Sequence, residues 1–299
     1  MNKYLYFDLD NIKSIIPHYI GQLLVNVSSK LGLKPVISYY TNAWNWKLID
    51  LTKPISIDNL TMINTIINNN DGNVEDEKWF NIITLYIESL SANVIDPIET
   101  IYDEIVKSSP DKMIIESNLK IICNNTILIS ETIKRLREKC RYDVYFNRIR
   151  VYISGSNNKL FFEDGVKIKN SDIKLSFHGV SGAQSALIQT FDRFFSIQHP
   201  TTSNYLYSMR DHMPEKFRSY IEYIDKRKSL RDFIIENKLD DKSEIVKLFN
   251  ESIKYLVIFR SRHLAIIKDF TSRFVSENDL SYAVNYCSDM IKDYCKDKI

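Results

Sequence analysis

SIKYLVIFRSRHLAIIKDF, residues 252–270, carries Leu256, Phe259, His263, Ile267 and Phe270 at three- and four-residue intervals. On a helix these five share one face. No Gly or Pro interrupts the stretch, so it predicts a long helix, over 243–274, with an imidazole turned toward an apolar interior. Two readings of His263 follow. It is a core histidine satisfied by a hydrogen bond, as buried polar groups usually are, or it is an axial haem ligand. A haem asks for a neutral imidazole on a rigid element, apolar walls, and a group that orients the other ring nitrogen. The segment supplies the first two.

The same periodicity recurs outward from this stretch. Residues 79–107 (WFNIITLYIESLSANVIDPIETIYDEIVK) read as helix with a mild break at Pro97, and 111–140 repeat the pattern. Helical spacing returns from Ser181 through Ile197, stops before Pro200, and resumes at 202–222, 228–237 and, in an amphipathic stretch, 277–296. The polar patch from Asn68 to Glu77 reads as a surface loop. LFFEDGVKIK, residues 160–169, has short alternating runs around Asp164-Gly165, a hairpin signal. The expected fold is therefore all-α, a large helical bundle with a small irregular or hairpin insert.

Composition narrows the function classes. Seven Gly and seven Pro in 299 residues are few for a loop-rich β protein. Forty basic and thirty-eight acidic side chains, interspersed, leave a net charge of +2, which is no footprint for nucleic acid or an anionic membrane. Cys123, Cys140, Cys287 and Cys295 form no CxxC pair and have no zinc spacing, so reduced thiols are expected. The first residues lack the apolar core of a signal peptide. A cytoplasmic protein with a small or neutral partner is the expectation.

Two further features suit a small ligand. FHGVSGAQSALIQTFDRFF, residues 177–195, places glycines just ahead of a helix. It reads either as a helix entry with Ser181 as N-cap or as a backbone and hydroxyl wall against a flat ligand. It is neither a dinucleotide fingerprint nor a P-loop. Arg148 and Arg150 stand beside Tyr142, Tyr145 and Phe146. They are surface arginines paired with carboxylates, or a guanidinium clamp for an amino-acid carboxylate with rings to pack its side chain.

From Leu31 to about Phe270 the chain resembles the large helical domain of the indoleamine 2,3-dioxygenases. The resemblance is carried by an ordered series: LGLKPVISYY with Asn45-Trp46; the acidic-Gly loop before Trp79-Phe80; the helix bearing Glu88 and Ser91; RVYISG at 150–155; SGAQSALIQTFD at 181–192; MRDHMP at 209–214; LRDF at 230–233; and RSRHL at 260–264. It implies haem b held by His263 as the proximal iron ligand, with Asp192 and Arg260 as supporting groups nearby. It implies that Tyr39, Phe80, Thr84 and Tyr145 line the distal side, that Arg150 holds the substrate carboxylate, and that Ser181, Gly182 and Ala183 border haem and substrate. Thr84 and Ser181 are the hydroxyls expected near the chemistry. The implied reaction uses O2 and a reductant that keeps the iron ferrous, and opens the indole of L-tryptophan to N-formylkynurenine.

The chain also departs from the pattern. Only about thirty residues precede the match, so 1–30 reads as a vestige of a small domain and 31–299 as the haem domain. The flexible loop expected after the proximal helix has no counterpart, because Asp269 leads through FTSRFVSENDLSY into the last helical stretch. Asn81 replaces an aromatic and Tyr145 a phenylalanine, which implies a more polar pocket. A haem enzyme acting on another indole or aromatic amino acid, and a non-enzymatic haem or gas-binding protein, stay open beside tryptophan dioxygenation.

Overall fold

The computed structural model describes residues 13–68, 70–155, 165–200 and 202–271. The helices in chain order are α1 His18–Lys30, α2 Tyr39–Ala43, α3 Val74–Ser89, α4 Ile95–Glu104, α5 Lys112–Thr132, α6 Leu136–Lys139, α7 Tyr142–Val144, α8 Arg150–Ile153, α9 Ala186–Phe194, α10 Ser203–Arg210, α11 Glu215–Ile224, α12 Leu230–Glu236 and α13 Glu244–Thr271. A π turn, Tyr145–Ile149, joins α7 to α8. The strands are β1 Ile15–Ile16, β2 Trp46–Leu48, β3 Leu60–Met62, β4 Val166–Ile168 and β5 Lys174–Leu175. The architecture is the expected helical one with small strand inserts. No helix among the described residues is long and apolar enough to cross a membrane.

The chain divides into two compact units. The first draws its described residues from 13–82, 139–185 and 206–219, the second from 83–138, 186–205 and 220–271.

In the second unit α5 packs against both α4 and α13. Its buried face is Ile115, Leu119, Ile122 and Ile129, and α13 contributes Ile245, Phe249, Ile253 and Leu256. Both sets repeat at helical spacing, which is why the sequence forms these helices and why they meet there. Each such side chain stabilises the fold by roughly 1.5–3 kcal/mol relative to leaving it in water. Asp111 caps α5 by accepting from the Met113 N–H at 2.8 Å. Glu104, at the end of α4, accepts from the Asp111 N–H at 2.6 Å and ties the two helices at their turn.

In the first unit β4 is central. It pairs parallel with β1, Ile16 opposite Ile168, and antiparallel with β5, Val166 opposite Leu175. Ile16, Val166, Ile168 and Leu175 form a core into which Leu24, Val25, Val151, Tyr152 and Phe177 pack. A Cβ on Gly21 would stand 2.7 Å from Ile168, so α1 lies directly on β4. β2 and β3 pair antiparallel, and their connecting loop is held by the Asn59 side chain, which donates to the carbonyls of Asp50, Lys53 and Pro54.

Several boundaries differ from the sequence reading. The break in 79–107 falls at Leu90–Asn93, ahead of Pro97, which sits in the first turn of α4. That position needs no intrahelical N–H, so proline costs little there. The stretch 202–222 is two helices, α10 and α11, parted just before Pro214. The patch at Asn68 to Glu77 is not all loop: α3 begins at Val74, and Glu75, Asp76 and Glu77 fill its first turn, where negative charge favours a helix start. A hairpin among the described residues is β4–β5, which turns through Asn170 and Ser171. Asn170 takes φ 56°, and Ser171 Oγ accepts from the Ile173 N–H. Asp164, the 277–296 stretch, Cys287, Cys295 and most of the segment after Asp269 lie outside the described residues.

Candidate functional site

The residues singled out in the sequence divide between the units. Asp192, Arg260, His263 and Thr84 belong to the second unit; Tyr39, Phe80, Tyr145, Arg150, Ser181, Gly182 and Ala183 belong to the first.

In the second unit, α13 carries His263 in its C-terminal half. The Phe259 ring, one turn earlier, lies nearly parallel to the imidazole, at 7° with centroids 6.4 Å apart. His263 is deeply embedded yet keeps accessible surface, and among the described residues neither ring nitrogen has a hydrogen-bond partner. Burial, with the Arg260 cation adding to it, lowers its proton affinity to about 4. The imidazole is therefore neutral near pH 7, with a lone pair available to a metal.

Arg260, one turn before His263, reaches back to α9. Its Nη2 donates to both carboxylate oxygens of Asp192 at 3.1 Å. The same carboxylate accepts from His199 Nε2 at 3.0 Å, and Asp192 and His199 are both buried. Sequence reasoning missed His199. It stands seven residues from Asp192, two turns at helical spacing, but α9 ends at Phe194 and does not reach it. Ser196 in the left-handed region, at φ 55°, and the Ile197 N–H bond to the Asp192 carbonyl fold the chain back and bring them together. Glu88 of α3, also buried, accepts from the Leu187 N–H in the first turn of α9. That satisfies a helix-start donor that has no partner within the helix. Thr84 is half-buried, one turn after Phe80 on α3.

In the first unit the π turn decides the geometry. The Arg150 N–H donates to the Tyr145 carbonyl, five residues back, so Arg150 lies one π turn beyond Tyr145 on the same side. In a regular α-helix that spacing would point the two apart. The Arg150 guanidinium lies over the Phe146 ring at 5.2 Å. Its Nη1 is buried and has no hydrogen-bond partner among the described residues. Arg148 differs: it is exposed and pairs with Asp71 at 2.6 Å, the surface ion pair that one reading expected of both arginines. Tyr145 is embedded yet not sealed, with its ring 5.1 Å from that of Phe80. Burial raises its phenol proton affinity, opposed by the Arg150 charge. Asn81 spends its amide on its own helix, donating to the Glu77 carbonyl at 2.9 Å, so the polarity expected there is satisfied internally.

The glycine string is seated against the end of α8. The Val180 N–H donates to the Ile153 carbonyl at 3.0 Å, and a Cβ on Gly179 would fall 2.1 Å from that oxygen. The close approach that glycine permits here is to the chain itself. Ser181 caps the short 3₁₀ turn Gly182–Gln184, accepting from the Ala183 N–H, and α9 begins only at Ala186. Gln184 is buried; it donates to the Gly179 carbonyl and accepts from the Tyr39 N–H at 2.9 Å. Tyr39, itself buried, is thereby tied to the string, and the string to the helix that carries Arg150.

A family model described as Indoleamine 2,3-dioxygenase matches residues 1–278. The chain is 26% identical over 267 residues to Indoleamine 2,3-dioxygenase 1 of Mus musculus, covering 87% of this chain and 63% of that protein. It is 24% identical over 276 residues to the Indoleamine 2,3-dioxygenase of Saccharomyces cerevisiae, covering 86% and 59%. It is 26% identical over 259 residues to Indoleamine 2,3-dioxygenase 2 of Homo sapiens, covering 86% and 61%. The chain thus spans about six tenths of the length of these relatives.

Proposed function

Because the chain belongs to the indoleamine 2,3-dioxygenase family, we propose that it is a haem-dependent oxygenase that opens the indole ring of L-tryptophan to N-formylkynurenine. The observation that carries this reading is the embedded His263 imidazole, neutral, without a hydrogen bond among the described residues, and stacked beside Phe259. Those are properties that an iron ligand needs, so the residues present fit a haem, read here as haem b. When bound, the haem supplies dioxygen activation.

The chain's own residues then do the binding and the shielding. His263 holds the iron through its neutral ring. Arg150 takes the substrate carboxylate: leaving a buried donor unmatched costs roughly 1–3 kcal/mol, and a bidentate carboxylate would offset that cost at Nη1. Phe80 and Tyr145 supply aromatic surface for the indole, and Tyr39 with Ser181, Gly182 and Ala183 forms the wall beside it. Thr84 and Ser181 offer hydroxyls that can donate a hydrogen bond but cannot act as strong bases. The indole N–H proton therefore need not be taken by a side chain. The Tyr145 phenol, embedded next to Arg150, favours a second reading in which the natural substrate is another indole or aromatic amino acid with a group that bonds to it.

The test is an anaerobic titration of the dithionite-reduced, haem-loaded protein with L-tryptophan, followed by admission of air and detection of N-formylkynurenine. Product supports the reading. A tryptophan-insensitive haem spectrum with no product moves the substrate to another aromatic compound. Failure to take up haem overturns the proposal.

A further inference from the structure

We propose that the outer face of α1 is a dimer interface, on which α1 of a second copy of this chain packs antiparallel about a two-fold axis between Leu23 and Val27. The pairing depends on neither the haem nor its ligand.

The two faces of α1 are put to different uses. Gly21 lies against Ile168 of β4, Leu24 and Val25 pack into the sheet core, and Ser28 is buried. The opposite face carries Tyr19, Leu23 and Val27, with Leu31 at the helix end still in helical backbone. These four recur at every fourth residue and so form one ridge along the helix. They are 73, 64, 46 and 51% exposed, and Ile15, just ahead of the helix, adds another side chain at 51%. From Tyr19 to Ser29 there is no charged residue, in a chain of which 26% is charged. Apolar residues scattered singly on a surface are ordinary, whereas a contiguous row marks a contact site.

A second copy fits this face best. Under an antiparallel two-fold pairing Leu23 meets Val27 of the partner subunit and Tyr19 meets Leu31 of the partner subunit, so the ridge is its own complement. Ridges of i, i+4 spacing interdigitate at roughly −50°, the commonest crossing of helices in globular proteins. With side-chain areas of roughly 150–200 Å² each, the five residues expose on the order of 500 Å². A pair would then cover about 1,000 Å², which reaches the lower bound for a specific interface. The sheet already holds α1 in place, so little order is lost on pairing. A formal charge of +2 leaves little repulsion between copies. An anionic lipid surface is a poorer occupant, because the face has no basic residue between Tyr19 and Ser29 to hold it.

The experiment is sedimentation equilibrium of the full chain as purified, over about 1–100 μM. The wild type should form a dimer within that range. Leu23→Lys and Val27→Glu should each weaken it by about tenfold or more, since each buries a lone charge. An equimolar mixture of the two variants should associate more tightly than either alone, because the introduced ammonium then meets the introduced carboxylate across the axis. Met113→Lys, on exposed surface of α5, should associate like the wild type. Equal melting temperatures serve as the folding control, and Tyr19→Glu replaces any face variant that does not fold. A wild type that stays monomeric throughout overturns the proposal and gives the face to a different molecule. A Leu23→Lys dimer as tight as wild type overturns it as well, and so does a mixture no tighter than its components.

Discussion

The neighbourhood of His263 and that of Arg150 are built by opposite means. His263 sits on an uninterrupted 28-residue helix, braced from α9 by a buried Arg260–Asp192–His199 network. Arg150 follows a π turn and is buttressed by a glycine whose backbone presses on the end of α8. Regular helix holds a group at a fixed point. Irregular backbone re-aims one: the extra residue of the π turn brings Arg150 and Tyr145 to one side. The difference fits the division of labour proposed above, with a stiff element for a cofactor and a locally adjustable one for a substrate.

The largest expected effect tests the stiff region. His263→Ala should abolish stable haem incorporation while the apo-protein keeps its far-ultraviolet circular dichroism; a native Soret band in this variant would sink the ligand assignment. In the adjustable region, Arg150→Leu should weaken tryptophan binding on the order of ten- to a hundredfold, the equivalent of about 1.5–3 kcal/mol for a charge-assisted pair. An unchanged tryptophan dependence would put the carboxylate elsewhere. Gly179→Ala should destabilise the apo-protein by about 1–3 kcal/mol, the usual cost of overpacking, because its Cβ meets the Ile153 carbonyl. A denaturation midpoint equal to wild type would show that the buttress is slack.

Acidification should act next. His263 and His212 are both held near 4, chiefly by burial, against an ordinary value of 6.5. In that window the unfolded chain binds protons that the folded chain refuses, so stability is full above about 6.5 and falls as the pH drops toward 4. Melting temperatures measured across the window should decline less steeply for His263→Gln; an identical slope would contradict the stated environment. Smallest of all is Arg148→Leu. Its partner Asp71 forms an exposed pair with it, and such pairs contribute about 0–1 kcal/mol, so tryptophan binding should not change. A loss as large as that of Arg150→Leu would erase the distinction between the two arginines.

Some of this was legible in the chain. The helical face of Leu256, Phe259, His263, Ile267 and Phe270 could be read directly, and with it the all-α class. That Asp192 and Arg260 lie near His263 was implied only by family resemblance; their pairing with each other was not read from the chain. The role of Gly179 was half visible: a close backbone approach was expected, but toward a ligand rather than toward Ile153. His199 left no signal, since its relation to Asp192 arises from a left-handed turn at a serine, a residue that does not announce one.

The sequence by itself determined what depends on spacing along one helix: the long α13, the apolar faces of α5 and α4, and the candidacy of His263. These are local, because 3.6 residues per turn ties each position to its neighbours three and four away. Tertiary structure alone decided which arginine is left with an open donor, how Tyr145 and Arg150 come to the same side, and which histidine stands on Asp192. Those outcomes depend on a change of helical pitch, a backbone contact between residues 153 and 179, and a reversal at Ser196. Each is settled by packing between segments distant in the chain, where no sequence period reaches.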